Sequence, residues 1–148
     1  MQGDTLRDPK ILQGGNIAKF DCVIANPPFS LENWGATEWS SDKYKRNIYG
    51  TPSDSCGDYA WIQHMICSMS SGKGRMAVVM PQGILFRGNQ EAEIRKQLVE
   101  SDLIEAVVTL GDKLFYGTGL SPCFLIIRRM KPAHHSGRIL MIDGSKIL

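Results

Sequence analysis

Three stretches of the chain, Phe20–Ala25, Met76–Met80 and Cys123–Ile127, are almost unbroken apolar runs, and this limits the fold more than any other feature. A strand wetted on one face alternates polar and apolar residues; a strand apolar throughout is expected to be covered on both faces, as in α/β sheets. A fourth run, Leu103–Leu110, is rich in β-branched and aliphatic residues too. Between the first two runs a helical spacing begins at Asp58, the expected cap, with Tyr59, Ile62, Met65, Ile66 and Met69 on one stripe and Gly72 or Gly74 as the stop. A second helix is predicted over Gln90–Glu100, with Asn89 as cap and Ile94 and Leu98 facing inward. Strand, helix, strand, helix, strand predicts parallel pairing through helical crossovers, an α/β sheet. Cys123–Arg129 and Arg138–Asp143, joined across "MKPAHHSG", read as a closing antiparallel hairpin.

At 148 residues the chain has about one domain's length, and 43% hydrophobic against 22% charged residues describes a soluble globular protein with a core. A net charge of +2 is too small to argue nucleic-acid binding, so any such surface must be local. No apolar run approaches membrane-spanning length, and "MQGDTLRDPK" does not resemble a signal peptide. Cys22, Cys56, Cys67 and Cys123 are scattered with no CxxC pair, which argues against a zinc site and predicts reduced thiols in a cytoplasm. No metal site is expected.

The first strand ends in "FDCVIANPPFS". Pro27 and Pro28 have no N–H and a fixed φ, so they cannot extend a ladder, and Asn26 is pushed out of the helical region. The result is a stiff corner presenting one amide and one ring, beyond the carboxyl end of a strand, where open α/β sheets bind ligands. It suits a planar amine whose lone pair is delocalised into a ring. The Asn26 side-chain carbonyl and the Pro27 backbone carbonyl can accept its two N–H groups and favour a directed lone pair, while Phe29 offers a face for stacking. The alternative is a plain strand-to-loop turn in which Asn26 bonds its own backbone.

"DCVIANPPFS" resembles motif IV of the amino-group DNA methyltransferases. With "NIYGTPSDSCGDYAWIQHMICSM", "GRMAVVMPQGILFRG", "IRKQLVESDLIEAVVTL" and "LFYGTGLSPCFLII", the likeness covers nearly the whole chain and resembles the modification subunit of type I restriction-modification systems. The resemblance implies methyl transfer from S-adenosylmethionine to the exocyclic amino group of adenine in DNA, in a complex with specificity and restriction subunits. It implies that Asn26 and Pro27, with Pro28 in the same motif, hold the amino group of an extruded adenine, and that Phe29 stacks on the base. Asp4, in "GDTL", falls where this class contacts the cofactor's adenine; a solvated turn aspartate is the other reading. Phe115, in "LFYGTG", falls where related enzymes place a second aromatic against the base; an ordinary core Phe is the alternative.

The class binds its cofactor chiefly through a glycine-rich turn and an acidic residue on strands expected before Asp4, and Gly14-Gly15 is no substitute. The resemblance thus implies a single partial methyltransferase domain over 1–148, a Rossmann-like sheet lacking its first strands and closing on a C-terminal antiparallel hairpin. Such a piece is expected to be inactive alone. The strand 20–25 is then expected to present an open edge, inviting self-association unless residues 1–19 cover it. Two further readings stay open: a protein glutamine N-methyltransferase, whose similar corner usually ends in tyrosine, and a non-catalytic module that only holds partner subunits.

Residues 30–57 read as a long loop, functional or mobile. Lys43, Lys45 and Arg46, interleaved with Tyr44 and Tyr49, are either a DNA-phosphate contact or a solvated charged face. Trp34 and Trp39 either stack on bases or anchor the loop. His134 and His135 have no acidic or cysteine partner nearby in the sequence, and "SGKGR" precedes a strand, so it reads as a tight connection.

Overall fold

The structure, a computed structural model, describes residues 3–112, 114 and 119–146. β1 (Leu12–Gln13) and β2 (Asn16–Ile17) form a small hairpin over Gly14 and Gly15, whose φ values of 57° and 79° suit the turn. β3 (Cys22–Ala25), α1 (Ala36–Ser40), α2 (Asp58–Ser68), β4 (Arg75–Pro81), α3 (Asn89–Glu100), β5 (Ile104–Leu110), β6 (Pro122–Arg128) and β7 (Leu140–Gly144) follow. The last five strands make one mixed sheet in the order β3-β4-β6-β5-β7.

β3 and β4 are parallel, Ile24 opposite Ala77, as the apolar runs predict. β6 then runs antiparallel between β4 and β5, with Val78 opposite Leu125 and Val107 opposite Leu125. The antiparallel hairpin of the C-terminal half is therefore β5 with β6. The return strand β7 does not pair with β6, as the sequence suggested; it lies parallel on the far side of β5, Val108 opposite Ile142. Four strands point one way, and only β6 opposes them.

The core joins Tyr59, Ile62, Met65 and Ile66 of α2 and Ile94 and Leu98 of α3 to Met76, Val78, Met80, Leu125, Ile127 and Val107 of the sheet. Both helices thus cover one face. Two right-handed crossovers stepping in the same direction across a sheet must do so. Coverage of both faces is not what the described residues show: on the other side Ile24 is 76% exposed, and Ala77, Val79, Phe124 and Ile126 are only half-buried. The unbroken apolar character of these strands therefore exceeds what α2 and α3 cover.

α2 stops at Ser68, before either glycine, because Met69 turns extended and bridges Phe20: Phe20 N–H donates to the Ser68 carbonyl and Ser70 N–H to that of Phe20, each at 2.8 Å. The cap positions of α2 and α3 are Gly57 and Gly88, one residue before the expected Asp58 and Asn89, and neither helix has a side-chain cap. Residues 30–57 are folded down onto the domain. Trp34 and Trp39, each 2% exposed, meet edge to face at 5.6 Å and pack with Leu6 and Ala60, which is the anchoring alternative. The buried Gln63 of α2 accepts from Tyr49 N–H and donates to the Gly50 carbonyl.

Candidate functional site

The corner Asn26-Pro27-Pro28-Phe29 leaves β3 at the carboxyl edge that β3 shares with β4. Pro27 is buried, Asn26 and Pro28 are exposed and Phe29 is half-buried. Among the described residues no hydrogen bond uses the Asn26 amide or the Pro27 carbonyl. A plain Asx turn would have spent that amide locally, so the geometry leaves two oxygens available to a ligand.

Asn26 and Pro27 line a cavity of about 300 Å³ with Thr5, Trp61, His64 and Met65. The Trp61 indole N–H is buried and has no hydrogen-bond partner among the described residues. The cavity is mostly apolar and carries an unspent buried donor, as a planar heterocycle with an edge acceptor requires. Trp61 and His64 stand out only once α2 is placed, for they form a second stripe beside the core-facing one. A helix apolar on two sides was the signal for them.

Asp4 caps its own turn. Its Oδ1 accepts the N–H groups of Leu6 and Arg7 at 3.0 Å each, and Asp8 N–H returns to its carbonyl at 2.7 Å. Thr5, in that turn, brings it to the cavity wall. Arg46 holds the turn in place: its guanidinium donates to the Thr5 and Leu6 carbonyls at 2.8 and 2.7 Å and pairs with both oxygens of Asp42 at 2.9 and 2.7 Å. Arg46 is 1% exposed and lies 4.4 Å from the Trp39 ring. A phosphate contact by Arg46 is thereby corrected: a guanidinium already committed to a carboxylate and two carbonyls has no free fork to offer. Lys43 and Lys45 remain exposed.

His64 Nδ1 sits 3.2 Å from Arg46 Nη1. An arginine can only donate, so Nδ1 is the bare nitrogen and Nε2 carries the hydrogen. Burial, and then the Arg46 charge, push the His64 pKa down to about 4, so the ring is neutral.

A second cleft, about 400 Å³, opens beside the corner's exit at Ser30 and is walled by Gln82, Phe86, Arg87, Leu120 and Ser121. Phe86 is 73% exposed there, an aromatic that the helical and strand patterns do not single out. Gln82 Nε2 donates to the Leu110 and Pro122 carbonyls at 3.3 Å each, tying the ends of β5 and β6 at this edge. Phe115 lies outside the described residues.

The model of the N-6 DNA Methylase family matches residues 1–148. The type I restriction enzyme MjaVII methylase subunit of Methanocaldococcus jannaschii is 36% identical over 97% of this chain and 25% of that protein. The HindI methylase subunit of Haemophilus influenzae is 35% identical over 87% of the chain and 28% of that protein. Among solved structures, the type I restriction-modification methyltransferase subunit from Streptococcus thermophilus superposes with a TM-score of 0.80 at 31% identity, covering 95% of this chain and 29% of that one. The chain spans about a quarter of the length of the curated relatives it matches. A class I S-adenosylmethionine-dependent methyltransferase from Listeria monocytogenes, 17% identical with a TM-score of 0.60, shares the fold, so the sheet is part of a Rossmann-like methyltransferase fold. With the family model running from end to end, the chain belongs to the N-6 DNA methylase family, and over a third of its residues are shared with a type I restriction enzyme methylase subunit.

Proposed function

We propose that this chain supplies the amino-group-binding corner of a subunit that transfers a methyl group from S-adenosylmethionine to the exocyclic amino group of adenine in DNA. The observation that carries the reading is the pair of unspent oxygens, on Asn26 and Pro27, beside an apolar cavity at the carboxyl edge of parallel strands. Asn26 Oδ1 and the Pro27 carbonyl accept the two amino hydrogens, drawing the nitrogen lone pair out of the ring. Pro28 keeps the corner rigid, and Phe29 stacks on the base once it has left the duplex. Phe115 is the second aromatic of that base site.

The cavity suits the cofactor's adenine: Pro27 and Trp61 offer apolar walls and the Trp61 N–H an unspent donor, while Asp4 shapes the turn that carries Thr5 to the wall. S-adenosylmethionine, when bound, supplies a methyl group on a positively charged sulfur. The described residues hold no glycine-rich strand-to-helix turn for the rest of that molecule. Alone, the chain therefore binds the cofactor weakly and is not competent. The family match favours DNA over a protein glutamine amide as substrate, and the intact corner favours a catalytic role over a purely scaffolding one. Specificity and restriction subunits are its partners, and it works in the cytoplasm; no helix among the described residues is long and apolar enough to cross a membrane.

The test is methyl transfer to DNA by this segment carried in a subunit of the relatives' full length, beside the 148-residue chain alone. Transfer by the former and neither transfer nor micromolar cofactor binding by the latter is expected; an inactive full-length subunit, assembled with its specificity subunit, overturns the reading.

β3 is an edge strand, and residues 3–19 do not extend the sheet beyond it. Its open ladder and the exposed Ile24 support self-association of the isolated chain through this edge. Sedimentation velocity is expected to show concentration-dependent dimers that Ile24→Lys weakens. A strictly monomeric wild type at every concentration counts against it.

A further inference from the structure

We propose that Asp58 and Arg87 form a positioning clamp that sets the exit of the Asn26–Phe29 corner, and through it the aim of the two acceptor oxygens. The inference rests on the methyl-transfer reading. The corner's entry is held by the ladder, where Ala25 lies opposite Val78. Its exit has no ladder. The two prolines carry no N–H, so the backbone just after the corner must be tied by other means.

Ser30 provides the tie. It sits at φ 50°, a left-handed conformation that costs a residue with a Cβ, so something must hold it there. Its N–H donates to Asp58 Oδ1 at 2.8 Å. One residue further on, the Leu31 carbonyl accepts Gly57 N–H at 2.9 Å. The start of α2 therefore grips the exit segment twice.

Asp58 is 0% exposed, and a buried carboxylate is costly unless paired. Asp58 follows the cap position Gly57, so it is not the helix's cap, and its carboxylate serves groups outside α2. One Asp58 oxygen is spent on Ser30, and the other is paired with Arg87 Nη2. Arg87 in turn lies 3.1 Å from the buried Glu91 through Nε, while Arg95 donates to the Arg87 carbonyl at 2.8 Å. Arg87 also walls the cleft at Ser30, so the clamp joins the corner to the loop that follows β4. Neither residue contacts a reacting atom; both are positioning residues.

Two double variants separate positioning from plain stability. Asp58→Asn with Arg87→Met removes both charges but keeps an acceptor for Ser30 N–H. Asp58→Leu with Arg87→Met removes the acceptor as well. In the full-length subunit both are expected to melt at similar temperatures, below wild type, since both leave the same buried Glu91 carboxylate without Arg87. The Leu–Met pair is expected to show a kcat roughly 10- to 100-fold below the Asn–Met pair at unchanged KM for DNA, because small misplacements of reacting groups are costly. Equal kcat values would overturn the clamp.

A second measurement needs no variant. In the 148-residue chain the Ser30 amide is expected to exchange with solvent as slowly as its helical neighbours in α2; fast exchange overturns the proposal even if the variants fail to fold. A full-length wild type that transfers no methyl groups would sink the methyl-transfer reading instead, leaving the exchange result to judge the clamp.

Discussion

Asn26→Ala in the full-length subunit is expected to lower kcat for methyl transfer by about 10²- to 10³-fold, the range found when one preorganised hydrogen-bonding group at a reacting centre is deleted. The physical reason is specific to the substrate. An exocyclic amino nitrogen shares its lone pair with the purine ring and is a poor nucleophile while planar. Acceptors on both of its hydrogens stabilise the pyramidal form more than the planar one, so their effect falls on the transition state and shows in kcat instead of KM. Asn26→Asp keeps an acceptor oxygen and is expected to lose less. Stability is expected to stay within about 0.5 kcal/mol, as for other exposed side chains without partners. Rapid-quench methyl transfer with saturating DNA checks this; an alanine variant as fast as wild type removes Asn26 from the mechanism.

Arg46→Met is expected to produce the largest loss of stability, about 3–5 kcal/mol, the cost of breaking a buried pair from one side. Methionine fills most of the volume, yet it strands the Asp42 carboxylate, 7% exposed, and the Thr5 and Leu6 carbonyls. For a chain of this length such a loss lowers the melting temperature by roughly 10 °C. The damage is also directional, because the freed carbonyls belong to the turn that Asp4 caps at the cavity wall. Arg46→Met with Asp42→Leu, which deletes the pair instead of orphaning half of it, is expected to recover part of the loss in a urea titration. If the single variant unfolds at the wild-type midpoint, the network is ornamental.

The same network sets a pH dependence through His64. Its pKa is about 4 in the folded chain against an ordinary 6.5. Between those values the unfolded chain takes up a proton that the folded chain refuses, so stability falls as pH drops. The contribution, on the order of 3 kcal/mol, is complete above 6.5 and gone below about 4. The folded chain refuses the proton first because the ring is buried, and then because an imidazolium would face the Arg46 guanidinium. His64→Gln is expected to flatten this part of the profile.

How far the residues foretold the molecule depends on the range of the forces involved. α2 and α3 were visible because a helical stripe is a local pattern, and the overrun of α2 to Met69 shows its limit. Met69 continues the spacing, but Phe20, far away in the chain, offers it a β bridge instead. Asp58 looked like a cap since caps are counted locally; Ser30 took its oxygen from across the domain. Arg46 and its neighbours Lys43 and Lys45 look alike as residues, yet one is at the bottom of the folded loop and two are in water.

What the chain's own chemistry settled without help was the corner: two prolines after an apolar strand cannot hydrogen-bond onward or turn helical, whatever surrounds them. Family membership was equally written in ordered blocks of residues. The folded molecule alone decided that β6 enters between β4 and β5, that only one face of the sheet is covered by α2 and α3, and which charges are spent internally. Strand neighbours and buried partners are long-range choices, made by competition among all surfaces at once, and a local pattern carries no record of that outcome.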